Sequence, residues 1–125
     1  MDIPKDYRYT KTHEWIAFTD DGKAKIGITD FAQQELGDIV YVNLPEIGDE
    51  FEAEEVFADI ESVKTAEDIF TPVAGSVVSV NEELAEKPEL VNENAFEAWF
   101  VELDGVEEPA GLMNAEEYEQ FVSEA

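Results

Sequence analysis

Short apolar runs separated by turn residues make up most of the chain, and their spacing is that of strands. Trp15-Ile16-Ala17-Phe18 runs into the turn signal Asp20-Asp21-Gly22, and Lys23-Ala24-Lys25-Ile26-Gly27-Ile28 alternates back as its hairpin mate. Ile39-Val40-Tyr41-Val42-Asn43-Leu44 reads as a further strand stopped by Pro45, with Gly48-Asp49 marking the next turn. Glu55 to Glu61 and Asp68 to Pro72 read as paired strands. Between them, Ser62-Val63-Lys64-Thr65-Ala66-Glu67 is too polar and too short for anything but a hairpin tip. Val73-Ala74-Gly75 turns into Ser76-Val77-Val78-Ser79-Val80, and Trp99-Phe100-Val101-Glu102-Leu103 forms the last strand.

In two places the period lengthens to that of a helix. Thr29 to Gly37 predicts a short helix capped by Asp30, with Gln33 reaching back, Phe31 and Leu36 facing the core, and Gly37 as its left-handed stop. Residues 114–124 predict a C-terminal helix. Asn114 is its cap, Glu117 completes a capping box, and Met113 staples onto Tyr118. Tyr118, Phe121 and Val122 form an apolar stripe expected to dock on the sheet rather than on a partner. Asn81 to Asn94 reads as irregular or weakly helical, broken by Pro88. The expectation is a mainly β chain of one domain, 1–125, with a short internal helix and a C-terminal helix.

Composition narrows the chemistry. The 44% hydrophobic content, with 8 Phe and 2 Trp, is enough for a core. There is no Cys, so thiol catalysis, disulfides and Cys-ligated metals are excluded, and a single His is a poor basis for a metal site. No apolar run is long enough to cross a bilayer, and Met1-Asp2-Ile3-Pro4-Lys5-Asp6 lacks a secretory apolar stretch. A cytoplasmic monomer with no membrane partner is expected. Thirty-two Asp and Glu against seven Lys and Arg give a net charge of −25, which argues against nucleic acid as a partner. Such a charge opposes compaction, and the repulsion largely vanishes in molar salt, where the screening length is about 3 Å. A salt-rich cytoplasm, as in a halophile, is the expected setting.

Lysine is scarce, which makes its placement informative. From Glu54 to Asp68 there are six acids and one base, and the base is Lys64 at the expected tip. On charge pattern alone the favoured reading is a lysine that offsets local repulsion. The surrounding segment changes that. Glu61-Ser62-Val63-Lys64-Thr65-Ala66, followed by Ile69-Phe70-Thr71-Pro72-Val73-Ala74-Gly75-Ser76-Val77, resembles the lipoyl-lysine hairpin of glycine cleavage H proteins. Tyr9-Thr10-Lys11-Thr12-His13-Glu14-Trp15 resembles the family's opening strand. Ile26 to Gln33, Leu36 to Val40, Leu44-Pro45 and Gly48 resemble its next block. Val80-Asn81, Leu84, Pro88, Leu90-Val91-Asn92 and Trp99 resemble its downstream pattern. The likeness runs nearly full length and in order. It departs at Ala95, Phe96 and Ala98, where the family usually has Pro, Tyr and Gly, so the resemblance does not set the turn before the last strand. Biotin carriers generally flank their lysine with Met, whereas Val63 and Thr65 flank Lys64. Lipoyl domains of 2-oxo acid dehydrogenases more often show Asp-Lys-Ala beside Pro/Ala-rich linkers, and phosphopantetheine carriers are helical.

The resemblance implies a lipoyl-domain-like barrel-sandwich hybrid with the lysine hairpin at about 55–72. It implies lipoic acid joined covalently to Lys64 and no catalytic residue in this chain. The implied role is a shuttle that takes an aminomethyl group from a pyridoxal-phosphate glycine decarboxylase to a folate-dependent aminomethyltransferase. Its electrons pass to dihydrolipoyl dehydrogenase, and a lipoate-attaching enzyme loads it. Glu14, Thr12 and Asp68 stand where the family places polar residues near the cleft that shelters the arm. Rival readings are a lipoyl or octanoyl relay protein of the same family, an enzyme using Lys64 as a Schiff-base nucleophile, and an unmodified binding module. The Schiff-base reading needs a desolvated lysine, which the acidic surroundings of Lys64 oppose.

Overall fold

The computed structural model describes residues 3–19 and 21–124. Its strands are β1 (Arg8–Tyr9), β2 (Glu14–Phe18), β3 (Lys23–Ile28), β4 (Ile39–Asn43), β5 (Glu50–Phe51), β6 (Val56–Ser62), β7 (Ala66–Phe70), β8 (Gly75–Val80) and β9 (Val101–Asp104). The helices are α1 (Asp30–Leu36), α2 (Glu83–Glu86), α3 (Leu90–Glu93) and α4 (Ala115–Ser123). A six-stranded sheet runs β1-β2-β3-β9-β8-β5 and a three-stranded sheet runs β4-β6-β7, with every pairing antiparallel. The mainly β expectation holds. Of the Asp20-Asp21-Gly22 turn, Asp20 lies outside the described residues, and Gly22 takes the left-handed φ that a tight turn between β2 and β3 needs.

Alternation places Ile16, Ile26 and Ile28 of the larger sheet and Val42, Ile60 and Ile69 of the smaller one in a single buried cluster, so both sheets close over one core. A second cluster lies on the other side of β2. Its centre is Tyr9, Trp15, Ala115 and Tyr118, with Phe121 and Val122 packed against it. The apolar stripe of α4 is therefore a docking face onto the sheet. The Asn114–Glu117 capping box is present, and the Tyr118 ring stacks on Tyr9 at 4.8 Å.

Four local expectations change. Thr29, not Asp30, caps α1: its extended backbone lets Oγ1 accept from the Ala32 N–H at 3.3 Å. Asp30 takes the first helical position, where its carboxylate accepts from the Gln33 and Gln34 side chains at 2.9 and 2.6 Å. Phe31 is half-buried and its ring lies against His13, 4.7 Å between centroids, instead of joining the core. The last strand begins at Val101, two residues later than expected; Trp99 is half-buried with the Lys25 ammonium 4.9 Å from its ring. Ala95, Phe96 and Ala98 make an ordered turn: the Glu97 and Ala98 N–H groups both donate to the Asn94 carbonyl, and Tyr7 Oη donates to the Phe96 carbonyl.

Gly27 is required by contact. It pairs with Trp15 across the β2–β3 ladder, and an added Cβ would lie 2.6 Å from the Trp15 ring. That ring is fixed by its own bond, Nε1 donating to the Ala95 carbonyl at 3.0 Å. Gly27→Ala therefore has no free space to enter, and urea unfolding is expected to show a loss of about 1–3 kcal/mol. An unchanged midpoint would mean that Trp15 has room to move aside.

Candidate functional site

The β6–β7 hairpin places Lys64 at its apex. Glu61 pairs with Ala66, Ile60 with Glu67 and Asp59 with Asp68, so only Val63, Lys64 and Thr65 lie outside the ladder. The tip is three residues shorter than the six expected because the Ser62 side chain closes it. Ser62 Oγ accepts from the Lys64 and Thr65 N–H groups at 3.1 and 3.2 Å, and the Ser62 N–H donates to the Thr65 carbonyl at 2.8 Å. The apex is also tied sideways, the Val63 N–H donating to the Asp38 carbonyl at 3.0 Å.

Beneath it, Asn92 joins three segments. Its Nδ2 donates to the Gly37 carbonyl at 2.9 Å and to Gln33 Oε1 at 2.8 Å, and its Oδ1 accepts from the Ile39 N–H at 2.8 Å. Gly37 takes a positive φ, and a Cβ there would lie 3.4 Å from Lys64 Cε, so the lysine stem passes over bare backbone. Lys64 itself is exposed and takes part in neither ion pair found among the described residues.

Of the other expected site residues, Thr12 and Asp68 are exposed and Glu14 is not. Glu14 is 2% exposed, an acid inside the protein rather than one more on its surface. The turn from Thr10 to Glu14 folds two hydroxyls over its carboxylate: Thr10 Oγ1 donates at 2.6 Å and Thr12 Oγ1 at 2.5 Å. His13 adopts φ 69° in that turn, a left-handed conformation uncommon for a non-glycine residue, and its ring shares a 2.8 Å hydrogen bond with the Tyr118 hydroxyl. Tyr118 in turn bonds the Thr29 hydroxyl at 2.6 Å, linking the turn to α4 and to the cap of α1. Burial raises the Glu14 carboxyl above the ordinary range, and the bonds from Thr10, Thr12 and the Phe70 backbone oppose the shift. Burial lowers the His13 imidazole, with Glu35 opposing.

Two grooves meet at Thr12. One, of about 560 Å³, is walled by Ile28, Phe31, Leu36, Glu67, Asp68 and Ile69, and Leu36 precedes the Gly37 that Lys64 overlies. The other, of about 510 Å³, is lined by Thr10, Glu14, Phe70, Pro72, Pro109 and Leu112. Thr12 and Asp68 therefore share one groove, Thr12 and Glu14 the other. The residues fit a covalently tethered apolar arm: an exposed amine on a hairpin apex, and a largely apolar groove whose wall includes Leu36, next to the Gly37 under the lysine stem, together with Thr12 and Asp68. His13, Thr10 and Asn92 are the members that sequence reasoning did not single out as functional.

A β scaffold that holds a lysine on a braced hairpin apex, with a groove nearby, has the form of a carrier protein. A sequence model of the family described as Glycine cleavage H-protein matches residues 7–125. The glycine cleavage system H protein of Bacillus subtilis is 51% identical, with 99% of both chains covered. That of Halalkalibacterium halodurans is 51% identical over 98% of this chain and 97% of its own. The crystal structure of a glycine cleavage system H protein from Mycobacterium marinum superposes with a TM-score of 0.89 at 35% identity, covering 97% of this chain and 99% of that one. The chain belongs to the glycine cleavage H-protein family: it is a carrier component of that system and not itself an enzyme.

The buried acid gives a pH dependence with a definite sign. The folded protein holds the Glu14 proton more tightly than the unfolded chain does, so the Glu14 contribution to stability falls as pH rises from the ordinary carboxylate range through its raised folded value. Glu14→Gln removes this titration. The stability of the variant relative to the parent is expected to rise with pH across that window and then level off, as read by urea unfolding at a series of pH values. A flat or falling difference would contradict the raised carboxyl.

Proposed function

We propose that Lys64 carries lipoic acid as an amide and that this chain, acting as one carrier domain over 1–125, is the lipoyl shuttle of the glycine cleavage system. In this reading it takes an aminomethyl group from the pyridoxal-phosphate glycine decarboxylase to the folate-dependent aminomethyltransferase and delivers electrons to dihydrolipoyl dehydrogenase. The carrying observation is the exposed, unpaired Lys64 amine on a hairpin apex braced by Ser62, Asp38 and Asn92. When attached, the dithiolane supplies a disulfide that opens to accept a group and electrons. The chain's own residues mount it, limit the volume it sweeps, and so raise its local concentration at a docked partner.

The groove from Leu36 to Thr12 and Asp68 is the resting place we propose for the arm, with its apolar wall against the aliphatic chain. Glu14, bonded to Thr10 and Thr12, lines the neighbouring groove, which meets this one at Thr12. An acid with little water around it favours a protonated amine brought against it. The open position of Lys64 argues against a Schiff-base enzyme, which needs a desolvated amine.

The test is chemical. Incubation with a lipoate-attaching enzyme is expected to add one lipoyl mass, mapped to Lys64, and Lys64→Arg is expected to gain none. The loaded protein should then support glycine–bicarbonate exchange by the decarboxylase. An adduct elsewhere, or loading without exchange, would overturn the shuttle reading, and the second result would favour a relay role.

We also infer that the −25 charge fits the protein to a salt-rich medium. Its thermal midpoint is expected to climb from dilute buffer to molar KCl as repulsion is screened. A midpoint that stays level or drops would remove the halophile setting.

A further inference from the structure

β4 is an edge strand of the three-stranded sheet, paired on one side by β6. Its register slips between Ile39 and Tyr41, a bulge. Regular alternation would turn one of any two neighbours inward. Here Val40 and Tyr41 both face solvent, 55% and 50% exposed, between buried Ile39 and Val42. Val63, 67% exposed, stands next to Lys64, and its N–H is held by Asp38, two residues before Val40. The bulge and the Val63–Asp38 bond thus bring three large apolar side chains to the end of the small sheet that carries Lys64. Among the described residues the remaining large exposed apolar side chains lie elsewhere: Val56 at the far end of β6, Ile47 and Val78 outside this sheet. The rim of the triad is acidic. Asp38 and Glu61 are exposed, and Glu61 sits directly across the ladder from Tyr41.

The geometry points to Val40, Tyr41 and Val63, rimmed by Asp38 and Glu61, as the docking surface for the enzyme that acylates Lys64. Its matching face carries an apolar centre and a Lys/Arg rim. This rests on the reading of Lys64 as the lipoyl attachment site. The choice of occupant follows from where the bond forms. The Lys64 nitrogen attacks the carbonyl carbon of an activated lipoate such as its adenylate. The C–N bond forms, the C–O bond to AMP breaks, AMP leaves with the electron pair, and the nitrogen releases a proton to solvent. The acylating active site must therefore reach Nζ itself, and its walls come down on the residues around the stem. Enzymes that use the loaded arm meet its far end instead. An apolar centre with a complementary charged rim is how such contacts gain both affinity and orientation.

The experiment measures acylation of the full apo-protein by a lipoate ligase supplied with lipoate and ATP. The Val40→Ser/Tyr41→Ser double variant is expected to lose roughly tenfold in kcat/KM, mainly through KM, as for removal of an aromatic anchor. Val78→Ser serves as the distant control and is expected to match the parent. Thermal midpoints establish that each variant is folded; Val63→Ser, which leaves β4 untouched, gives the same reading should the double variant loosen that strand. Asp38→Asn with Glu61→Gln is expected to raise KM in dilute buffer, with the difference closing in molar KCl. Unchanged kcat/KM in the folded double variant and in Val63→Ser, with the parent acylated normally, overturns the docking surface alone. A parent that takes no lipoate on Lys64 sinks the carrier reading and the docking surface with it.

Discussion

One side-chain amide fixes the place of the lysine. Asn92, on the short helix α3, satisfies the Gly37 carbonyl, the Gln33 side chain and the Ile39 N–H together, so the end of α1, the start of β4 and α3 are set by one residue. Two of the three bonds meet backbone groups that leave a helix or enter a strand and lack ordinary partners, the Gly37 carbonyl and the Ile39 N–H. From Ile39 onward β4 pairs with β6, and from Asp38 the chain holds Val63. The apex of the hairpin is thus braced from below and from one side, while the Lys64 side chain is left free. A carrier needs this division, because a mobile arm on a wandering mount would sample far more space than one on a fixed mount.

The same economy governs the turn at Thr10 to Glu14. Burying a carboxylate is unfavourable unless donors surround it, and two threonine hydroxyls from a five-residue turn supply them. The turn needs His13 in a left-handed conformation, which is unfavourable for a residue with a Cβ, and the ring offsets this by bonding Tyr118 and packing on Phe31 and Phe121. α4 is therefore more than a cover for β1 and β2. Through the Tyr118 hydroxyl it links the His13 turn, where the two grooves meet, to Thr29, the cap of the helix whose Phe31 and Leu36 wall one of them.

Strand positions and the α4 capping box were legible because alternation and the Asn114–Glu117 spacing are local signals. The cap of α1 was not. Thr29 and Asp30 are both good caps, and the choice is set partly by Tyr118, 89 residues away, which bonds the Thr29 hydroxyl. β1 and β5 are two residues each, below the length at which a period exists. For the site, Lys64 was legible from its place at a hairpin tip and from the family likeness of the segment around it, not from charge pattern alone. The burial of Glu14 was not legible, since nothing local distinguishes it from the thirty-one other acids of the chain. The role of Asn92 joins segments more than fifty positions apart, and the outward pair Val40–Tyr41 depends on a register slip that an alternating run of apolar residues hides.

Exposed apolar side chains on a free sheet edge invite pairing between copies, and proteins usually guard such edges with charge or bulges. β4 has both: the slip at Ile39/Tyr41 breaks the ladder geometry that a second strand would need, and acids flank it at Asp38 and Glu61. Two copies meeting through this surface would bring like charges together, each from a chain of net charge −25. A partner with a basic rim meets the same surface with the opposite sign. The acidic excess therefore acts as a filter at the apolar surface beside the hairpin tip, opposing self-association while leaving the lysine approachable. Its strength falls as salt screens it, so at high ionic strength the selectivity must pass from charge to the shape of the bulge itself.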